Sequence, residues 1–177
     1  MDITQKTANM SLSSNSTGGY HGRQPEIDWE EYFMGLALLS AKRSKDNRLQ
    51  VGACIVNDEK RIISLGYNGM PYGRDDLFPW NDRTKTFVCH AEMNAIMNNK
   101  GVNMKGCTMY VTMHPCVECA KIIVHSGITK IVYLSDSRAH KDKYQDGKRL
   151  LTKLQTEGYI TLSQYKPTCE SIVINFN

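Results

Sequence analysis

The sequence of 177 residues contains no apolar run near the 18 or so residues a membrane span needs, so no span and no membrane partner are expected. Its opening stretch, MDITQKTANMSLSSNSTGG, carries no basic patch followed by an apolar core. No secretory leader is therefore expected there, and cytoplasm is the expected compartment. Internal repeats are absent, as is any break in composition that would mark a second domain. Charge of one sign is also scarce. The net +4 is mild, and runs such as SRAHKDKYQDGKR interleave acids with bases in the manner of a solvated surface, so nucleic acid is not an expected partner. An anionic small molecule fits the same balance.

Six cysteines are present. Without an export signal, and in a chain of this length, they read as reduced thiols or metal ligands rather than a disulfide framework. Residues 1–25, rich in Ser, Thr, Asn and Gly, bury little and are expected to form a mobile polar tail. Residues 26–177 are expected to form a single catalytic domain.

Asp28 reads as an N-cap, with Glu31 completing a capping box, ahead of a helix over WEEYFMGLALLSAKR whose basic residues fall in its last turn. VGACIVN and RIISLGY read as an antiparallel hairpin. NGMPYGRDDLFPWNDRTK is long for a loop inside a compact domain, which makes it a candidate lid or pocket wall. Beyond it, a helix from about His90, a strand at CTMYVTM, a helix at CVECAKIIVHS, a strand at KIVYL, a helix around GKRLLTKLQTE and a strand at YITLSQY alternate. That alternation predicts an α/β fold of three layers, with a five-stranded mixed sheet and helices on both faces.

Two stretches carry the chemistry. FVCHAEMNAI puts His90 and Glu92 at the start of one helix, and TMHPCVECAK puts Cys116 and Cys119 at the start of the next. In open α/β sheets, sites form where strands end and helices begin. Cysteines three apart in a first turn present both sulfurs to one side, and the helix N-terminus favours the thiolate that binds metal. Pro115 suits the helix entry. Two thiolates and an imidazole give Zn²⁺ three protein ligands, the catalytic number, with the fourth position left for water. Glu92 lies about 200° around the helix from His90, so it lines the pocket as a proton carrier instead of chelating the same ion. His-x-Glu followed by Pro-Cys-x-x-Cys is the established signature of zinc-dependent base deaminases.

Blander readings account for less. A structural zinc site would recruit Cys89 as a fourth ligand, but neighbouring residues seldom reach one ion from a helix start. A redox C-x-x-C pair leaves His90 and Glu92 unexplained. Cys89 reads as a packed thiol, and Cys54, Cys107 and Cys169 as core residues. His114 reads as pocket wall or surface, Glu118 as a solvated helix residue, and His21, His125 and His140 as residues without a role. Tyr67, Tyr72, Phe78 and Trp80 either stack on a base or anchor the loop.

With these residues in place, the chain from about Trp29 onward resembles the deoxycytidylate (dCMP) deaminase branch of the zinc-dependent cytidine/deoxycytidylate deaminase family. The metal motif is common to the whole superfamily. The combination VGACIV, GYNGMP and CHAEMNAI points to the monophosphate branch. The resemblance implies hydrolysis of dCMP to dUMP and ammonia, feeding thymidylate synthesis, with His90, Cys116 and Cys119 on zinc and Glu92 as acid and base. It further implies Asn68 on the sugar and Thr112 near the base amino group. Activation by dCTP (with Mg²⁺), inhibition by dTTP and a homohexamer are also implied, with effector contacts at Arg43, Ser44, Asn68 and Gly69. Arg74, Lys143 and Tyr144 are candidates for the 5′-phosphate. His114 stands where an apolar, acidic or small residue is more usual, and the Trp80–Cys89 segment is short. Two alternatives remain: the same chemistry on a nucleoside, free base or tRNA adenosine, and a catalytically silent zinc-stabilised nucleotide-binding scaffold.

Overall fold

The computed structural model describes residues 26–81 and 83–174. The expected polar tail and His21 lie outside the described residues. Helix α1 spans Trp29–Ala41, strands β1 and β2 span Gly52–Val56 and Ile62–Tyr67, and α2 spans Ala91–Met97. Then follow β3 (Thr108–Met113), α3 (Val117–His125), β4 (Lys130–Ser135), α4 (Asp142–Thr156) and β5 (Thr161–Gln164).

The sheet order is β2-β1-β3-β4-β5. Strand β1 runs antiparallel to both β2 and β3, whereas β3, β4 and β5 are mutually parallel, joined through α3 and α4. This is the expected mixed five-stranded α/β sheet. Side-chain alternation feeds two cores. Ala53, Ile55, Met109, Val111 and Ile131 point to the face covered by α2, α3 and α4, while Cys54, Val56, Tyr110 and Val132 meet Phe33, Met34 and Ala37 of α1 on the other. All five residues of β1 are buried, as a central strand covered on both sides must be. No described helix is long and apolar enough to cross a membrane.

Several local expectations need correction. Asp28 does cap α1, its carboxylate accepting from the Glu30 N–H at 2.8 Å. Glu31 does not close the box, because its carboxylate instead accepts from Thr168 and Cys169 near the C-terminal end, each at 2.9 Å. The basic residues fall just past the helix, which ends at Ala41. Helix α4 begins at Asp142, several residues before the apolar run, since Tyr144 is the inward anchor of its otherwise polar first turn. Cys169 is exposed rather than core, while Cys54 and Cys107 are buried.

Strand β2 and α2 approach closely at Gly66. A Cβ there would sit 2.3 Å from the Ala95 nitrogen and 2.4 Å from the Ala91 oxygen, both backbone atoms that have nowhere to retreat. Gly66→Ala is therefore expected to destabilise the protein by about 2–3 kcal/mol in urea unfolding, the usual scale of overpacking. An unchanged unfolding midpoint would contradict this packing.

Candidate active site

Each metal-ligating side chain owes its position to a helix start. His90 is the N-cap of α2 and Cys116 the N-cap of α3, both with extended backbone, and Cys119 lies in the first turn of α3. Among the described residues, His90, Cys116 and Cys119 form the one group that could hold a metal ion, their ligand atoms all within 4.8 Å of one another. His90 Nδ1 is 3.2 Å from Cys119 Sγ and 3.4 Å from Cys116 Sγ. Tetrahedral zinc, with Zn–N of about 2.05 Å and Zn–S of about 2.3 Å, holds such atoms about 3.6 Å apart. The donor set and its spacing fit zinc. Cys89 is not in the cluster; its backbone pairs with Gly69 on both sides, N–H to O and O to N–H. A fourth protein ligand is thus missing among the described residues, as a catalytic zinc site requires.

The electrostatics match this donor set. The hydrogen bond from Cys119, then that with His90, hold the Cys116 thiol down to about 3 despite burial, so Cys116 is the thiolate. Cys119 is pushed up, first by the same hydrogen bond with Cys116 and then by burial. The two sulfurs share one proton, which a metal would displace. His90 is raised chiefly by its bond to Cys116. Glu92 is 4% exposed, and burial raises its pKa against the opposing influence of His90. A carboxyl shifted toward neutrality is suited to moving a proton in both directions.

The pocket beside this cluster has a volume of about 190 Å³, and His90, Glu92 and Cys116 form its floor. Asp46, Asn68, Met113, His114 and Tyr144 stand on its walls, with Lys85, Arg138, Lys141 and Lys143 around them. Of the long loop, only its two ends, Asn68 and Lys85, line the pocket, joined by Val88 just beyond it. Trp80 and Asp75 hold that loop together through an indole N–H donated to the Asp75 carbonyl at 3.1 Å, and Phe78 packs on Phe87 with ring centroids 5.0 Å apart. Tyr72 is fully exposed.

Asn68 lines the pocket, but its amide also fastens the entry to β1: Oδ1 accepts from the Val51 N–H at 2.8 Å, and Nδ2 donates to the Leu49 carbonyl at 2.9 Å. Thr112 sits behind the pocket wall, buried, its hydroxyl accepting from the Gly52 N–H at 3.1 Å. Ser44 is buried and accepts from the Asp46 N–H, and Gly69 pairs with Cys89, while Arg43 is exposed. Arg74 pairs with exposed Asp76 and does not line the pocket, so this phosphate candidate is not brought to the site. Arg138 and Lys141 do line it and escaped the sequence reading. They sit in the polar run after β4, where composition alone shows only a solvated surface.

His114 is wall, not surface, at 3% exposure. Burial pushes its pKa down. Glu118 is an exposed partner of Lys121, and His125 is exposed. Helix α4 rests directly on the metal-binding loop through Gly147, where a Cβ would lie 2.5 Å from the Pro115 oxygen and 2.8 Å from the Cys116 carbonyl carbon. A glycine in mid-helix costs roughly 1 kcal/mol relative to alanine. Here only hydrogen fits.

An α/β sheet presenting an imidazole and two sulfurs at neighbouring helix starts, with a buried carboxyl beside them, defines a zinc-dependent base deaminase, a hydrolase. The family described as cytidine and deoxycytidylate deaminase zinc-binding region matches residues 27–135. The deoxycytidylate deaminases of Mus musculus and Homo sapiens are 47% and 45% identical to this chain over 163 residues, covering 88% of it and 89% of each relative. Among solved structures, the dCMP deaminase of cyanophage S-TIM5 in its apo form superposes with a TM-score of 0.61 at 30% identity, over 77% of this chain and 96% of that one. The chain belongs to the cytidine and deoxycytidylate deaminase family, and within it to the deoxycytidylate deaminases.

Proposed function

We propose that the protein hydrolyses dCMP to dUMP and ammonia, taking the monophosphate in preference to the nucleoside. The observation that carries this reading is the charge of the pocket. Outside the metal cluster and Glu92, the lining carries four cationic side chains, Lys85, Arg138, Lys141 and Lys143, against one carboxylate, Asp46. That complements the roughly −2 charge of a phosphomonoester near neutral pH. Support also comes from the cyanophage relative, crystallised in complex with dCMP and dUMP at 28% identity to this chain.

Zinc held by His90, Cys116 and Cys119 would supply a water whose pKa is lowered to about 7. Glu92 then takes the proton from the attacking water and passes it to N3 of the cytosine ring. The carboxylate so regenerated takes a second proton from the hydroxyl now on C4 and delivers it to the amino group as the C4–N4 bond breaks and the C4 carbonyl forms, and ammonia leaves. Burial keeps Glu92 away from bulk water between the two transfers. Asn68, with one amide hydrogen beyond the one given to Leu49, is available to the deoxyribose. The Met113–His114 backbone beside Thr112 is the proposed reader of the base amino group.

Arg138→Gln and Lys141→Gln are each expected to raise KM for dCMP about tenfold while kcat changes little. That is the scale of one charge-assisted hydrogen bond worth about 1.5 kcal/mol. The ratio of activity on dCMP to activity on deoxycytidine should fall accordingly. A wild-type enzyme that prefers deoxycytidine, free cytosine or a tRNA adenosine would overturn the monophosphate reading.

Regulation is part of the proposal. dCTP with Mg²⁺ activates and dTTP inhibits, through contacts around Arg43, Ser44, Asn68 and Gly69, in a cytoplasmic homohexamer. Of these four, Asn68 both fastens the β1 entry and lines the pocket, so a ligand that engaged it would bear directly on the pocket wall. Ammonia release from dCMP, titrated with each triphosphate and followed alongside sedimentation, tests activity and assembly together.

A further inference from the structure

Two buried polar atoms among the described residues are sealed away without a partner, His114 Nε2 and Tyr165 Oη. The Tyr144 hydroxyl differs from both. No described residue makes a hydrogen bond with it, yet it is not sealed, although the residue is only 8% exposed. The space it opens to is the pocket, which Tyr144 lines. The charges acting on the phenol oxygen agree with that placement. Burial, then the charges of Glu92 and Cys116 on the pocket floor, push its pKa up to about 12, while Arg138 at the rim works against them. The oxygen stands between floor and rim and keeps its hydrogen at neutral pH. Its ring packs in the main core, so the hydroxyl is presented from a fixed support. A donor left free on a side chain this deeply buried points to an acceptor that arrives from outside the chain.

On the dCMP reading above, the choice of acceptor is short. A dCMP molecule accepts at N3 and O2 of the base, at the sugar oxygens and at the phosphate. N3 is turned to Glu92, from which it takes its proton. O2 and the sugar oxygens are neutral, and a cluster of cations does not select them. The surroundings of the phenol are such a cluster. Lys143 Nζ lies 5.3 Å from the centroid of the Tyr144 ring, and Arg138 acts on its oxygen. Lys141, whose carbonyl accepts from the Tyr144 N–H at 2.9 Å, lines the same pocket. A hydroxyl set among three cations meets the group they gather, and for a nucleotide that group is the phosphate. We propose that Tyr144 Oη donates a hydrogen bond to the 5′-phosphate, making Tyr144 a specificity-determining residue for the monophosphate. The cations attract from several directions, whereas the phenol fixes one phosphate oxygen and with it the reach from phosphate to base.

Tyr144→Phe removes the hydroxyl and keeps the ring. Because that hydroxyl bonds to no described residue, the variant should melt at the wild-type temperature. Its KM for dCMP should rise about tenfold, the scale of one hydrogen bond to a charged acceptor, with kcat little changed. Inhibition by dUMP and by deoxyribose 5-phosphate, which both carry the phosphate, should weaken by the same factor. Competition by deoxycytidine, which lacks it, should not weaken. A structural role predicts another pattern, in which all these ligands weaken together and the melting temperature falls. Deoxycytidine and dUMP weakened alike overturns the proposal. So does an unchanged KM for dCMP with unchanged inhibition by dUMP, the outcome if the phenol meets only water. A wild type that uses deoxycytidine as well as dCMP overturns the dCMP reading itself, whereas a preference for dCMP kept whole in Tyr144→Phe overturns the assignment of Tyr144 alone.

Discussion

Glu92→Gln is expected to lower kcat by about 10³-fold or more while zinc stays stoichiometric, because the amide preserves the shape of the side chain but cannot accept or return a proton. The carboxyl is 4% exposed, so no solvent base can stand in for it at hydrogen-bonding distance. In the metal-free protein, the same substitution should leave the fold as stable as wild type or more so. Burial raises the Glu92 pKa above its ordinary 4.5, meaning the folded state disfavours the ionised form. A group raised in this way contributes stability below its unfolded value and loses it as pH rises through the folded one. The advantage of the glutamine variant should thus be absent in acid, below about 4.5, and grow toward neutrality. Metal content, steady-state turnover and melting curves at pH 4 and pH 7 check the three parts separately. Turnover within tenfold of wild type would remove Glu92 from the proton transfers.

Removing the metal is the second large effect. The three ligands tie α2 to α3 across 26 positions of chain between His90 and Cys116, so zinc acts as a cross-link as well as a reagent. At a free zinc concentration 1,000 times Kd, ligation adds about 4 kcal/mol to stability. For a chain of this size, each kcal/mol is worth about 2–4 °C. A strong chelator should therefore lower Tm by roughly 10 °C and abolish ammonia release, with both restored on adding zinc. Cys119→Ala should reproduce the loss, and chelator should then change nothing further. A Tm insensitive to chelation would mean that the two helix starts are held together by packing alone.

The metal-binding cluster and the buried carboxyl of Glu92 beside it were legible in the sequence because the pattern is local: His-x-Glu and Pro-Cys-x-x-Cys are each confined to one helix start. The sheet was legible for a related reason. VGACIV and MYVTM are short β-branched or apolar runs, and the helices between later strands leave little choice but parallel pairing. What escaped depends on contacts distant in sequence. Glu31 forms a correct capping box on paper, yet its carboxylate is claimed by Thr168 and Cys169 from the other end of the chain. Cys169 reads as core from its neighbours, but among the described residues it is exposed. Arg138 and Lys141 are indistinguishable from surface charge until α4 brings the run after β4 to the pocket, and Arg74 reads as an equally good candidate until Asp76 is seen beside it. Asn68 was placed by resemblance, whereas its grip on Val51 and Leu49 has no signature in sequence.

The bare contact at Gly147 links two ends of the enzyme that could otherwise have drifted apart. The first turn of α4 supplies Lys143 and Tyr144 to the pocket, and one turn later the helix backbone lies flush against the loop that bears Cys116. With no side chain between them there is no slack to slide through. A deaminase built this way can acquire a taste for a larger or differently charged nucleotide by exchanging residues on that turn, but not by shifting the helix, because any such shift would drag the sulfur with it.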